Sequence, residues 1–173
     1  QIAISVTSQL FMIPLSLAIA LTIRVGMYYG EKNWQAMRQA QKVGLMSATF
    51  FALCTMLLIA SARPYIVAIY TNDIDVIPMA MYLLWFALAY QLMDAWQVSA
   101  AGCLRGMQDT QAPMWITLMA YWVIAFPIGL YLARYTIWGV AGVWLGLIIG
   151  LTIACVLLIG RLYLNNQRLE KTL

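Results

Sequence analysis

Asp94 is the residue of this sequence best placed to do chemistry. It stands in an apolar stretch, residues 76–104, that holds no other charge. Gln91 and Gln97 lie three residues to either side and Tyr90 sits beside them, so a helix here would carry a polar stripe. A carboxylate near the centre of a bilayer costs about 2.5–3.5 kcal/mol on insertion scales, so Asp94 needs a partner or a use. One use is to bind a coupling cation, a proton, or the charge of a cationic substrate. A proton and a cation would then compete for one carboxylate, which is the chemistry an antiporter needs. The other reading is structural: a hydrogen-bonding acid, or one paired with a Lys or Arg outside this sequence. Other chemistries lack their residues. The sequence has no His, and Cys54, Cys103 and Cys155 are isolated, without CxxC spacing. No GxxxxGK[ST] phosphate loop is present. The expectation is therefore no enzyme, no organic cofactor, and no metal site beyond a cation at Asp94.

The elements that must position Asp94 follow from composition. Apolar residues make up 64% of the 173 positions and charged residues 9%, against about 45–50% and about 25% in soluble domains. A soluble globular fold is excluded, and a net charge of +4 is too small for a nucleic-acid footprint. Uncharged stretches at 1–23, 43–62, 110–133 and 135–160, together with 76–104, each exceed the roughly 18 residues of a membrane-spanning helix. No period-two alternation suggests barrel strands. The predicted architecture is an all-α integral membrane protein with five transmembrane helices, over residues 1–29, 34–62, 76–104, 111–134 and 138–163. Asn33 is the expected N-cap of the second.

Basic residues set the orientation. Arg24, Lys32, Arg38, Lys42, Arg105, Arg161, Arg168 and Lys171 fall on one side of such a bundle, Arg63 and Arg134 on the other. Eight against two predicts a cytoplasmic C-terminus and places residue 1 on the outer side. Gln1, in an apolar run without a basic region before it, suggests a fragment of a larger membrane protein. Pro14 and Pro127 interrupt apolar helices and are candidate kinks or hinges. Gly142, Gly146 and Gly150 recur every four residues and predict close helix packing. Asp73 and Asp75, at the outer mouth of the third helix, are a candidate vestibule for organic cations.

Four segments in order carry a family resemblance. Pro14-Leu15, Ala20 and Arg24-Val25-Gly26 followed by Gly30 make the first. Gln91-Leu92-Met93-Asp94-Ala95-Trp96-Gln97 with Ala101-Gly102-Cys103-Leu104-Arg105-Gly106-Met107-Gln108-Asp109-Thr110 make the second. Phe126-Pro127-Ile128-Gly129 and Gly139-Val140-Ala141-Gly142-Val143-Trp144-Leu145-Gly146 complete the set. Together they resemble the multidrug and toxic compound extrusion (MATE) family, and its NorM-like bacterial branch most. Gln108 departs from the pattern, standing where many relatives have Gly.

The resemblance implies a twelve-helix exporter of two six-helix lobes, of which this chain would be helices eight to twelve, most of the C-terminal lobe. It implies a multi-pass protein of the bacterial cytoplasmic (inner) membrane that exchanges Na+ or H+ for organic cations by alternating access. Asp94 then resembles the acid of the second-lobe cation site, with a partner glutamate on a seventh helix. The implied partners are the lipid bilayer, organic cation substrates, the N-terminal lobe and that seventh helix. The fragment alone is expected to be transport-inactive. A lipid-linked oligosaccharide flippase of the same superfamily would be expected to line its cavity with basic residues, whereas the lipid-depth inventory here is one acid. A structural or channel-forming subunit is a further alternative, distinguished by uncoupled conductance.

Overall fold

In a computed structural model, the described residues are 2–70, 76–137 and 139–171. They form α1 (Ile2–Gly30), α2 (Trp34–Tyr70), α3 (Val76–Gly106), α4 (Gln111–Met119), α5 (Phe126–Tyr135) and α6 (Val140–Lys171), with a π-helical turn, Ala120–Ala125, joining α4 to α5. Because α4, the π turn and α5 make one continuous pass, the chain crosses its bundle five times. Four passes are long and apolar enough to span a membrane: Ser8–Gly30, Trp34–Ile69, Gln111–Tyr135 and Val140–Glu170. α3 is not among them although it has 31 residues. It carries Gln91, Asp94 and Gln97, and it is wrapped by α1, α2 and α6. Its polar groups are thus covered by protein, the condition under which a membrane bundle tolerates them.

The outward surface is that of a lipid-facing bundle. Ile23, Phe50 and Leu57 are 68%, 64% and 71% exposed, and such side chains are distributed over all the spans. The inside is assembled from small residues. α1 crosses α3 where Ala18 and Thr22 meet Gly102 and Gly106. A Cβ on Gly102 would stand 2.6 Å from the Ala18 carbonyl oxygen, and one on Gly106 would stand 2.7 Å from that of Thr22. The Thr22 hydroxyl donates to the Gly102 carbonyl at 3.0 Å across this crossing. α6 meets α5 and the π turn in the same manner through Gly142, Gly146 and Gly150. Without a hydrophobic drive between helices in lipid, such close backbone approach is what holds them together.

The helix ends obey local chemistry. The Asn33 side-chain oxygen accepts from the Ala36 N–H at 3.1 Å, capping α2 as predicted. α1 and α3 both close through a residue in the left-handed region, Lys32 (φ +55°) and Gln108 (φ +61°). The amide that follows each reaches back five residues, Asn33 to Tyr28 and Asp109 to Leu104.

Two elements run past their predicted ends. α2 passes through Arg63 and Pro64 to Tyr70, because Arg63 lays its guanidinium over the Trp85 ring, 4.0 Å from the centroid, and so does not need to leave the bundle. α6 extends to Lys171, where its polar last turns pack back on the start of α2. There Asn166 donates to the Gln41 side-chain oxygen at 2.7 Å, and Arg38 pairs with Glu170.

Candidate functional site

Asp94 is 3% exposed and lies on the face of α3 turned toward α1 and the α4–α5 pass. Tyr90, one turn before it, and Gln97, one turn after, share that face. With Phe11 of α1, Thr117 of α4 and Tyr121 and Trp122 of the π turn, they line a cavity of about 520 Å³. Among the described residues no salt bridge or hydrogen bond engages the Asp94 carboxylate. Its nearest companions are hydroxyl and amide groups. The Tyr121 hydroxyl donates to Gln97 Oε1 at 3.2 Å, and the Tyr90 ring stands edge-on against Trp144 of α6, 6.2 Å between centroids. Each polar group beside Asp94 is thus fixed by a contact to a different helix.

The sequence stripe is only partly brought together. Steps of three residues turn a helix by about 300°, so two such steps drift about 120° around the axis. Tyr90, Asp94 and Gln97, spaced four and three, stay aligned. Gln91 turns away, 2% exposed, into the α1–α2 side of the bundle, where it faces Pro14, Thr55 and Ala52. Gln91 therefore does not line the Asp94 cavity.

Tyr121, which lines the cavity and holds Gln97, was not singled out by sequence, and Trp144, which stands against Tyr90, entered only within the last of the four resemblance segments. The usable signal for Tyr121 was its position six residues before Pro127 in an otherwise apolar span. Proline has no N–H to continue the ladder. Just before Pro127, the Phe126 N–H bonds to the Tyr121 carbonyl five residues back, closing the π turn. A π turn inserts an extra residue into the helix, and here it aims Tyr121 at Gln97. Pro14, by contrast, sits within a continuous α1. Asp73 and Asp75 lie outside the described residues.

The donor oxygens of the site are those of the Asp94 carboxylate, the Gln97 amide and the Tyr90 and Tyr121 phenols. These are hard oxygen ligands suited to an alkali cation, with the carboxylate as the place for a proton. No cluster of three His, Cys, Asp or Glu side chains exists among the described residues.

A second polar group closes the other end of the same helices. Asp109, in the α3–α4 connection, accepts from Arg161 Nε at 2.8 Å and Asn165 Nδ2 at 2.9 Å, one turn apart on α6. Partial burial alone would raise its pKa. The two hydrogen bonds and the guanidinium charge outweigh that and hold the carboxyl below its ordinary value.

Comparison with known proteins agrees with this architecture. Residues 1–131 match the family model described as MatE. A probable multidrug resistance protein NorM of Acinetobacter baylyi is 75% identical over 171 residues, covering 99% of this chain and 38% of the relative. Multidrug resistance protein MdtK of Pectobacterium atrosepticum is 40% identical over 96% of this chain and 38% of its own length. Among solved structures, the eukaryotic MATE transporter AtDTX14 superposes with a TM-score of 0.89 at 22% identity, over 98% of this chain and 38% of that one. An outward-facing MATE family multidrug transporter gives 0.86 at 18% identity, over 98% and 39%. The chain thus spans under two-fifths of the length of these relatives. With its membrane-spanning helices, its packing and this similarity taken together, it is a multi-pass membrane protein that belongs to the MatE family.

Proposed function

We propose that this chain is the cation-coupling part of a multidrug efflux antiporter, one that exports organic cations in exchange for Na+ or H+. The observation that carries the reading is Asp94, an acid buried at mid-helix, without a basic partner among the described residues, facing a 520 Å³ cavity. Na+ would be held by the Asp94 carboxylate, Gln97 Oε1 and the Tyr90 hydroxyl, while H+ would sit on the carboxylate itself. Either ion neutralises the charge that attracts an organic cation, so one site cannot hold both, and exchange follows from that competition. The multidrug-resistance names of the NorM and MdtK relatives support the choice of cargo.

Transport by alternating access needs two bundles moving around a central site. The working unit is therefore this lobe joined to the rest of the transporter, including an N-terminal lobe and a seventh helix. The excess of basic residues at one end of the bundle supports a cytoplasmic C-terminus in a bacterial inner membrane. The test uses the full-length parent in proteoliposomes loaded with a fluorescent organic cation. Dye should move against an imposed Na+ or H+ gradient and reverse direction when the gradient is reversed. Dye movement indifferent to both gradients would contradict coupling.

A further inference from the structure

Gln91 is the polar side chain that the coupling site does not use. It is 2% exposed, and its Nε2 has no hydrogen-bond partner in the protein. Buried amide donors are nearly always paired, so such a group calls for an acceptor. Beside it, Pro14 lies buried inside α1. Lacking an N–H, Pro14 leaves the carbonyl of Leu10, four residues back and adjacent to the proline ring, without its helical donor. On the third side stands Thr55 of α2, 9% exposed. Its hydroxyl hydrogen is committed to the Phe51 and Ala52 carbonyls, each at 2.9 Å, so Oγ1 retains lone pairs to accept with. Pro14, Leu17, Ala48, Ala52, Thr55 and Gln91 enclose a void of about 10 Å³, the size that admits one water and nothing larger.

We propose that this junction of α1, α2 and α3 is a binding site for a single structural water. The water accepts from Gln91 Nε2 and donates to Thr55 Oγ1, two of the two to four bonds that a buried water makes. The unpaired amide donor of Gln91 disfavours a metal cation there, and the volume excludes an organic ligand. The site is separate from the Asp94 cavity, although both are carried by the same stretch of α3.

The direct test is a density map of the full-length parent in lipid nanodiscs, at a resolution that shows ordered water. A peak within hydrogen-bond distance of both Gln91 Nε2 and Thr55 Oγ1, absent in Gln91→Met, is the expected result. A map with no such peak, or with the Gln91 amide donating directly to Thr55 or Leu10, overturns the proposal. A thermal-unfolding cycle on Gln91→Met, Thr55→Val and the double variant gives an independent check, because the lost Thr55 back-bond cancels within the cycle. If both residues hold one water, the double variant lowers Tm no further than the more damaging single one. Additive shifts would contradict a shared ligand.

Discussion

At Asp94 the chemistry depends on uncharged neighbours. A carboxylate among phenols and amides, with no guanidinium or ammonium beside it among the described residues, is on the proposed reading the place where a cation or proton binds. Tyr121 matters because it holds Gln97. Removing one neutral hydrogen bond typically costs about 0.5–1.5 kcal/mol. Tyr121→Phe in the parent protein should therefore weaken cation affinity by roughly 2- to 10-fold, read as a rise in the cation concentration that half-saturates dye exchange. The acid of the α3–α4 connection behaves differently. Asp109 is locked to Arg161 and Asn165, with a folded-state pKa below its unfolded value. Its contribution to stability is complete above the unfolded value of about 3.9 and is lost as pH falls through the folded value. Asp109→Asn should lower the melting temperature at neutral pH, and the gap to the wild type should close on acidification below about pH 4. A gap that persists unchanged in acid would show that the tie contributes nothing as an ion pair.

Individual acids were legible in the sequence because charge is rare in lipid. Which amides join them was less so. The three-residue spacing of Gln91, Asp94 and Gln97 looks like one face only until the drift around the helix is followed through two steps.

The helices themselves were largely legible, since uncharged length is a direct reading of what lipid requires. The first predicted helix, 1–29, lies within a residue of α1, and the third, 76–104, within two residues of the end of α3. What sequence hid was the shape of each pass. Nothing in the apolar run 111–134 announced a π turn except Pro127, and an arginine packed over tryptophan let α2 run through a proline. The glycine spacing on α6 was visible in advance, but its partner was not. Gly146 faces the Gly129 and Ala125 backbone, where a Cβ would stand 2.8 Å from the Ala125 carbonyl oxygen. Because that obstacle is backbone, it cannot swing aside. Gly146→Leu should destabilise the lobe by about 1–3 kcal/mol or more, whereas Gly160→Ala, where nothing lies within 4 Å of the added carbon, should be tolerated. Detergent melting curves of the two variants would compare them directly, and equal losses would contradict the packing described here. The same pass carries Tyr121 against Gln97, so a variant that separates α6 from the π turn should also disturb the proposed cation site.

Taken whole, the described residues form a bundle whose buried polar side chains lie mostly on one helix, α3, packed among apolar ones. The chain covers 38% of the length of its NorM and MdtK relatives, and the antiport proposed for it is that of a longer protein in which, on the same proposal, a second lobe closes the cavity. On this reading the lobe contributes the ion-binding half of exchange and the coupling passes through one carboxylate. The decisive measurement is cation-gradient-driven dye efflux by the full-length parent carrying Asp94→Asn, which keeps the shape of the side chain but removes its charge. The account predicts that the variant inserts and folds normally and that its gradient-dependent efflux falls by at least tenfold, the loss of about 1.4 kcal/mol of coupling. Efflux that stays coupled at the wild-type rate would contradict it.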